Sequence, residues 1–212
     1  MWLAPNVVTL SGFLVNLIPS ILIIVLYGWD LSGPLDNWFC FLLGSCYGFY
    51  MWMDNCDGKQ ARRTGNSSPL GMIFDHQCDV IVSVINSFVI QRMMQTGNTR
   101  NSLLCLFVTS CPFYYVLLEQ YYTGEMNFPP INGVDEGTLL YVTLCMFTAY
   151  YGSEEYWLAK TELFGETMTR SDMWVTLLKV FPLFSFVALT NIYLKKHYPH
   201  LKKLWDTKYF VA

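Results

Sequence analysis

The sequence predicts an all-α integral membrane protein, a bundle of about six transmembrane helices. Three observations lead there. Hydrophobic residues make up 53% of the 212 and charged residues only 14%, whereas an ordinary soluble domain is roughly one-quarter charged. Six apolar stretches approach the ~20 residues that a spanning helix needs. The acids are also bunched, with Asp54, Asp57, Asp75 and Asp79 falling in one short window where the second of those stretches ends and the third begins. Membrane helices that turn polar groups toward an interior site give this pattern, and the modest mean hydropathy of +0.32 fits it.

The first predicted span, about Val7 to Tyr27, follows Pro5-Asn6 and contains Pro19, where a kink is expected. Asp30 to Asn37 is a polar turn. The second span, about Trp38 to Met53, runs straight into Asp54, and its Gly44 and Gly48 form a small-xxx-small step suited to close packing within the chain, with dimerisation as the alternative. Lys59 to Pro69 is expected to connect it to a third helix. That helix has Pro69 in its first turn and ends near Met93. A turn at Gly97 to Asn101 precedes a fourth helix, about Leu103 to Tyr121. Thr123 to Gly137 is a Gly/Pro-rich loop, and the fifth apolar run is short, about Thr138 to Tyr151. Gly152 to Asp172 is polar and acidic, so it leaves the bilayer or lies along it. A sixth helix spans about Met173 to Leu194 with Pro182 inside. The organisation is thus one transmembrane domain, 1–194, and a basic tail, 195–212.

Six crossings put both termini and the Asp54–Pro69 segment on one side. Eight of the thirteen Lys and Arg residues fall there and five fall opposite, which favours the acidic side as cytoplasmic. Asn66-Ser67-Ser68 is formally a glycosylation sequon, but on this topology it faces away from the lumen. The seven cysteines are scattered through apolar stretches with no Cys-x-x-Cys pair, so they read as small core residues. A net charge of -3 without a basic patch and base-stacking platform gives no hint of nucleic acid, and none is expected as a partner. The first residues have neither the basic region of a signal peptide nor the Arg and Ser of a transit peptide.

Asp54 and Asp57 are three residues apart, and Asp75 and Asp79 are four apart, so each pair shares a helix face. Side by side, four carboxylates repel unless cations lie between them. All-oxygen ligands favour a hard divalent ion such as Mg²⁺, which keeps positions open for substrate phosphates. Gly58 and Gly71 let a ligand approach the backbone, while Lys59, Arg62 and Arg63 can neutralise phosphate oxygens. His76, beside Asp75, suits proton abstraction near neutral pH.

The pattern Asp54-x2-Asp57-Gly58-x2-Ala61-Arg62-x8-Gly71-x3-Asp75-x3-Asp79 resembles the signature of the CDP-alcohol phosphotransferases, with every position filled. Lys59-Gln-Ala-Arg-Arg-Thr64, Ser67-Ser-Pro-Leu-Gly71, Phe74-Asp-His-Gln-Cys-Asp79, Pro130-Ile-Asn-Gly133 with Glu136-Gly137, and Pro5-Asn6-Val-Val-Thr9 are similar to the eukaryotic choline/ethanolamine phosphotransferase branch. Six helices match the minimal core of microbial members.

The resemblance implies transfer of phosphocholine or phosphoethanolamine from CDP-choline or CDP-ethanolamine to the hydroxyl of diacylglycerol, with release of CMP. It implies two Mg²⁺ or Mn²⁺ ions on Asp54, Asp57, Asp75 and Asp79, and nucleotide or phosphate contacts from Asn6, Gly58, Lys59, Ala61, Arg62 and Gly71. The base is His76 by the eukaryotic branch and Asp79 by short microbial relatives. Glu119 is a candidate to assist the base or the headgroup, with helix-end solvation as the structural alternative. Tyr47, Tyr50, Trp52 and Tyr156 are candidates for an aromatic cage around a quaternary ammonium. The implied setting is an endoplasmic-reticulum or Golgi membrane with the site facing the cytoplasm, the mitochondrial inner membrane being the alternative. A homodimer or other membrane-complex partners fit equally. A catalytically quiet accessory subunit, binding lipid or nucleotide without turnover, is the second functional reading. A divalent-metal transporter is the third, and it leaves the Gly and Arg positions without a role.

Overall fold

A computed structural model describes residues 3–124, 135–163 and 165–197. Its helices in chain order are α1 (Pro5–Tyr27), α2 (Asn37–Thr64), α3 (Pro69–Met93), α4 (Arg100–Thr123), α5 (Asp135–Tyr151), α6 (Ser153–Trp157), α7 (Arg170–Leu178) and α8 (Phe181–His197). Between α6 and α7 lies one antiparallel hairpin, β1 (Lys160–Leu163) with β2 (Glu166–Thr169), paired Lys160 to Thr169 through Leu163 to Glu166. Each of the six predicted spans is present as helix, and among the described residues this membrane protein is all-α apart from that hairpin. Among the described residues, α1, α3 and Arg100–Tyr122 of α4 are both long and apolar enough to cross a membrane. The second span, α2, has the length at 28 residues, but its last turns carry Asp54, Asp57, Lys59, Arg62 and Arg63. The fifth span, α5, and the longer part of the sixth, α8, have 17 residues each.

Three boundaries differ from the sequence expectation. Lys59 to Thr64 is not a loop but the continuation of α2. Lys, Gln, Ala and Arg are good helix formers, and Arg62 and Arg63 complement the negative end of the helix dipole. The helix stops at Gly65, whose φ of 68° is the left-handed conformation that glycine adopts without strain. Only four residues then lead to α3, where Ser68 Oγ accepts from the Gly71 amide at 3.0 Å and Pro69 opens the first turn. The predicted sixth helix is divided into α7 and α8 at Lys179 and Val180, so Pro182 falls at the start of a helix, where its missing N–H costs nothing. Lys195 and Lys196, read as tail, belong to α8. The loop centre 125–134, with Pro130-Ile-Asn-Gly133, and the tail 198–212 lie outside the described residues. Pro19 sits in an unbroken α1.

The helices alternate in direction. At one end Thr9 of α1 meets Asp57 of α2. Gln120 of α4 reaches Met72 of α3, and Tyr47 of α2 pairs with Thr138 of α5 at 3.2 Å. Lys196 of α8 lies 3.9 Å over the Tyr122 ring. At the opposite end the Tyr27 hydroxyl donates to Asp36, Gln95 Nε2 donates to Ser153 Oγ, and the buried Arg92 guanidinium donates to the carbonyls of Tyr27 and Asp30. The core is concentrated toward this second end, around Phe39, Cys40, Met93, Cys145 and Trp157. There the Trp157 indole donates to Thr148 Oγ1 at 3.0 Å. All seven cysteines are free.

The small-residue step in α2 serves packing within the chain. A Cβ on Gly44 would stand 2.8 Å from Cys145 Cβ on α5. That neighbour is fixed to backbone and cannot rotate away, so Gly44→Ala is expected to lower stability by about 1–3 kcal/mol through overpacking. A thermal melt in detergent checks this, and an unchanged midpoint would mean that α2 and α5 are not in such close contact.

Candidate active site

Two helix segments bring the acids together. The continuation of α2 past Met53 gives Asp54 and Asp57, and the first turns of α3 give Asp75 and Asp79. One oxygen each from Asp54, Asp57 and Asp75 lies within 4.8 Å of the others. Asp57 is buried, while Asp54 and Asp75 are half-buried. Asp75 Oδ1 is buried with no hydrogen-bond partner, and among the described residues no Lys or Arg forms an ion pair with the cluster. A buried carboxylate oxygen without a partner, aimed at two further carboxylates, is costly by itself. A divalent cation fits this donor set, all of it hard oxygen. Asp79, the fourth predicted ligand, is not in the converging trio. Its Oδ1 accepts from the Tyr50 hydroxyl, and it shares a cavity wall with Asp54.

Two residues that the sequence did not assign to the acids hold this geometry. The Thr9 hydroxyl of α1 donates to Asp57 Oδ2, and Tyr50, one turn before Asp54 on α2, donates to Asp79. Each hydroxyl fixes one carboxylate oxygen and leaves the other to point elsewhere. A signal existed for Tyr50, which shares the i, i+4 face with Asp54. Thr9 could be found only through its place in Pro5-Asn6-Val-Val-Thr9.

The other candidates divide. Asn6 Oδ1 lies 3.3 Å from where a Gly71 side chain would begin, so Gly71 makes room for Asn6 at the edge of the cluster. The Arg62 guanidinium lies over Gly58, with Nη1 3.4 Å from a Cβ built there. Lys59, Arg62 and Arg63 are exposed within two turns beyond Asp57, and Ala61 is half-buried. His76 is half-buried, edge-on to Phe113 with ring centroids 6.2 Å apart, and shares a face of α3 with Asp79. Glu119 is half-buried on the end of α4 that Gln120 brings against α3. The aromatic candidates do not form one cage. Tyr47 and Tyr50 stack at 6.2 Å, joined by Tyr141 at 4.6 Å from Tyr47, on the cavity wall beside Asp54 and Asp79. Trp52 faces outward, and Tyr156 lies at the opposite end beneath Arg170.

From Asp54 and Asp79 a cavity of about 330 Å³ runs down between α2, α3, α4, α5 and α7. Its lining is mostly apolar, with Val82, Ile90, Val108, Leu144 and Trp174 among the walls. A charged mouth above an apolar shaft can hold a phosphorylated, water-soluble group and a lipid at once.

The CDP-alcohol phosphatidyltransferase family pattern matches residues 2–123. The chain is 42% identical over 159 residues to an uncharacterized class-I protein of that family, number 3, from Dictyostelium discoideum, covering 74% of this chain and 39% of that one. It is 34% identical to choline/ethanolaminephosphotransferase 1 of Arabidopsis thaliana, covering 90% and 44%. It is 31% identical to cholinephosphotransferase 1 of Saccharomyces cerevisiae, covering 78% and 42%. The chain thus spans less than half the length of the curated relatives it matches. With the family pattern covering more than half of its residues, the chain belongs to the CDP-alcohol phosphatidyltransferase family.

Proposed function

We propose that the protein transfers phosphocholine or phosphoethanolamine from a CDP-alcohol to the hydroxyl of diacylglycerol, releasing CMP. One observation carries this reading: the converging oxygens of Asp54, Asp57 and Asp75, with Asp75 Oδ1 unpartnered, at the mouth of an apolar cavity. The names and similarity of the relatives support it.

In the reaction the lipid hydroxyl forms a bond to the phosphorus that bears the alcohol. The bond from that phosphorus to the oxygen shared with CMP breaks, and CMP leaves with the electron pair. Two Mg²⁺ or Mn²⁺ ions, held by Asp54, Asp57, Asp75 and Asp79, would polarise the diphosphate and neutralise the departing CMP. Asn6, Gly58, Lys59, Ala61, Arg62 and Gly71 form the nucleotide and phosphate side. Of these, Lys59 and Arg62 supply positive charge. His76 or Asp79 takes the hydroxyl proton, and Glu119 assists base or headgroup. The acidic end faces the cytoplasm of an endoplasmic-reticulum or Golgi membrane, a side favoured by the distribution of Lys and Arg and by the solubility of the nucleotide.

Purified protein in diacylglycerol-containing micelles is expected to release CMP from CDP-choline or CDP-ethanolamine with Mg²⁺ or Mn²⁺ and to stop when EDTA removes the metal. No release from any CDP-alcohol, together with recovery of the protein in a stoichiometric membrane assembly, would replace this reading with the accessory-subunit one.

A further inference from the structure

Below the acids, α3 turns a polar strip into a mostly apolar chamber. Asp79, Ser83, Asn86 and Ser87 recur at the three- and four-residue spacing of one helix face and all line the cavity. Asn86 stands about 10 Å down the axis from Asp79 at 1.5 Å per residue. Deeper on the same wall come Ile90 and Met94. Polar groups at membrane depth are expensive unless something pairs with them.

Asn86 and Ser87 are 5% and 1% exposed, and among the described residues neither uses all its donors. The side-chain amides of Asn16 and Asn86 face each other across α1 and α3 at 3.5 Å in both directions. That is beyond the usual N–H···O range, and it occupies one of the two N–H groups on each amide. Ser87 Oγ accepts from Gln91 Nε2 at 3.1 Å, and among the described residues its own hydroxyl proton meets no acceptor. Ser83 differs, because its hydroxyl already donates to the Val80 carbonyl at 2.9 Å.

Spare donors on the wall of an apolar chamber suit a ligand group that accepts without donating and carries no charge. An ester carbonyl meets both conditions. A phosphate oxygen also accepts, but its charge belongs at the carboxylate end two turns above. We infer that Asn86 and Ser87 form a subsite for the ester carbonyls of a glycerolipid acceptor, so that the cavity prefers ester-linked over ether-linked lipid. The inference rests on the acceptor proposed above. With its free hydroxyl at the acids, such a lipid carries its ester groups a few ångströms lower, toward the level of this pair.

The test is equilibrium binding of dioctanoylglycerol and of its dioctyl ether analogue to the detergent-purified full chain, read by native mass spectrometry. One hydrogen bond at about 1 kcal/mol corresponds to about a 5-fold preference for the diester. Ser87→Ala and Asn86→Leu are expected to bring that ratio toward one while leaving the diether unchanged. Asn86→Leu also removes the partner of Asn16, so Ser87→Ala, which deletes a single oxygen, carries the test if the larger change unfolds the protein. Equal binding of the two lipids to the unmodified chain, or equal weakening of both by Ser87→Ala, overturns the subsite. Equal binding accompanied by CMP release overturns the subsite alone. Failure to bind either lipid, with no CMP release, overturns it together with the proposed acceptor.

Discussion

Asp75→Asn is expected to reduce CMP release by on the order of 10³-fold or more, the scale on which a single preorganised electrostatic contact to the transition state is felt. The helices should remain intact. The expectation follows from the two sides of this carboxylate. It lies on the first turns of α3 with one oxygen in the converging trio, and its Oδ1 has no hydrogen-bond donor to compensate its charge. Asparagine keeps the shape and one acceptor oxygen but supplies no negative charge, so a divalent ion loses much of its hold. Removing one of several crowded carboxylates also relieves repulsion, so a thermal melt without metal should show an unchanged or higher midpoint. The diagnostic readout is Mn²⁺ binding followed by electron paramagnetic resonance, which should weaken in parallel with turnover. Full activity with unweakened Mn²⁺ binding would remove Asp75 from the metal set and leave its unpartnered oxygen unexplained.

The parts of the site that lie within one helix were legible in the sequence. Asp54 with Asp57, and Asp75 with Asp79, had to share faces because the helical repeat requires it. Pro69 announced the start of α3, because proline suits the first turn of a helix. What was not legible depends on distance across the bundle. The Thr9 bond to Asp57 joins residues 48 apart, and Tyr50 reaches Asp79 across 29. No periodicity encodes such contacts. The stretch after Asp57 was misread because a Gly followed by charges looks like a loop, while in the folded chain those charges lie on the exposed turns of a helix that outruns the membrane segment. The hairpin at Lys160–Thr169 has strands of four residues and no alternating apolar pattern, too little signal to distinguish from coil. Pro182 was seen, but its presence alone does not say whether it kinks one helix or opens a new one, since proline is compatible with both.

The identity of the base separates cleanly by substitution at His76. His76→Gln retains hydrogen-bonding capacity and comparable size but cannot take a proton near neutral pH, so it is expected to lower kcat by about 10²–10⁴-fold, the usual contribution of a positioned general base. Because His76 is not among the carboxylates that converge, Mn²⁺ affinity and CDP-alcohol binding should both stay within about 2-fold, a difference smaller than one ordinary hydrogen bond. Asp79→Asn cannot give that pattern if Asp79 helps to hold the ions, since affinity and turnover would fall together. The two variants therefore give different pairs of results rather than different degrees of the same loss. A His76→Gln protein that keeps wild-type turnover would assign the proton to Asp79, whose Oδ1 is already engaged by Tyr50 and whose Oδ2 would then have to serve. In that case Tyr50→Phe, which frees Oδ1 without touching a charge, should change the rate at constant metal affinity, whereas with His76 as the base the same change acts only by loosening the position of Asp79.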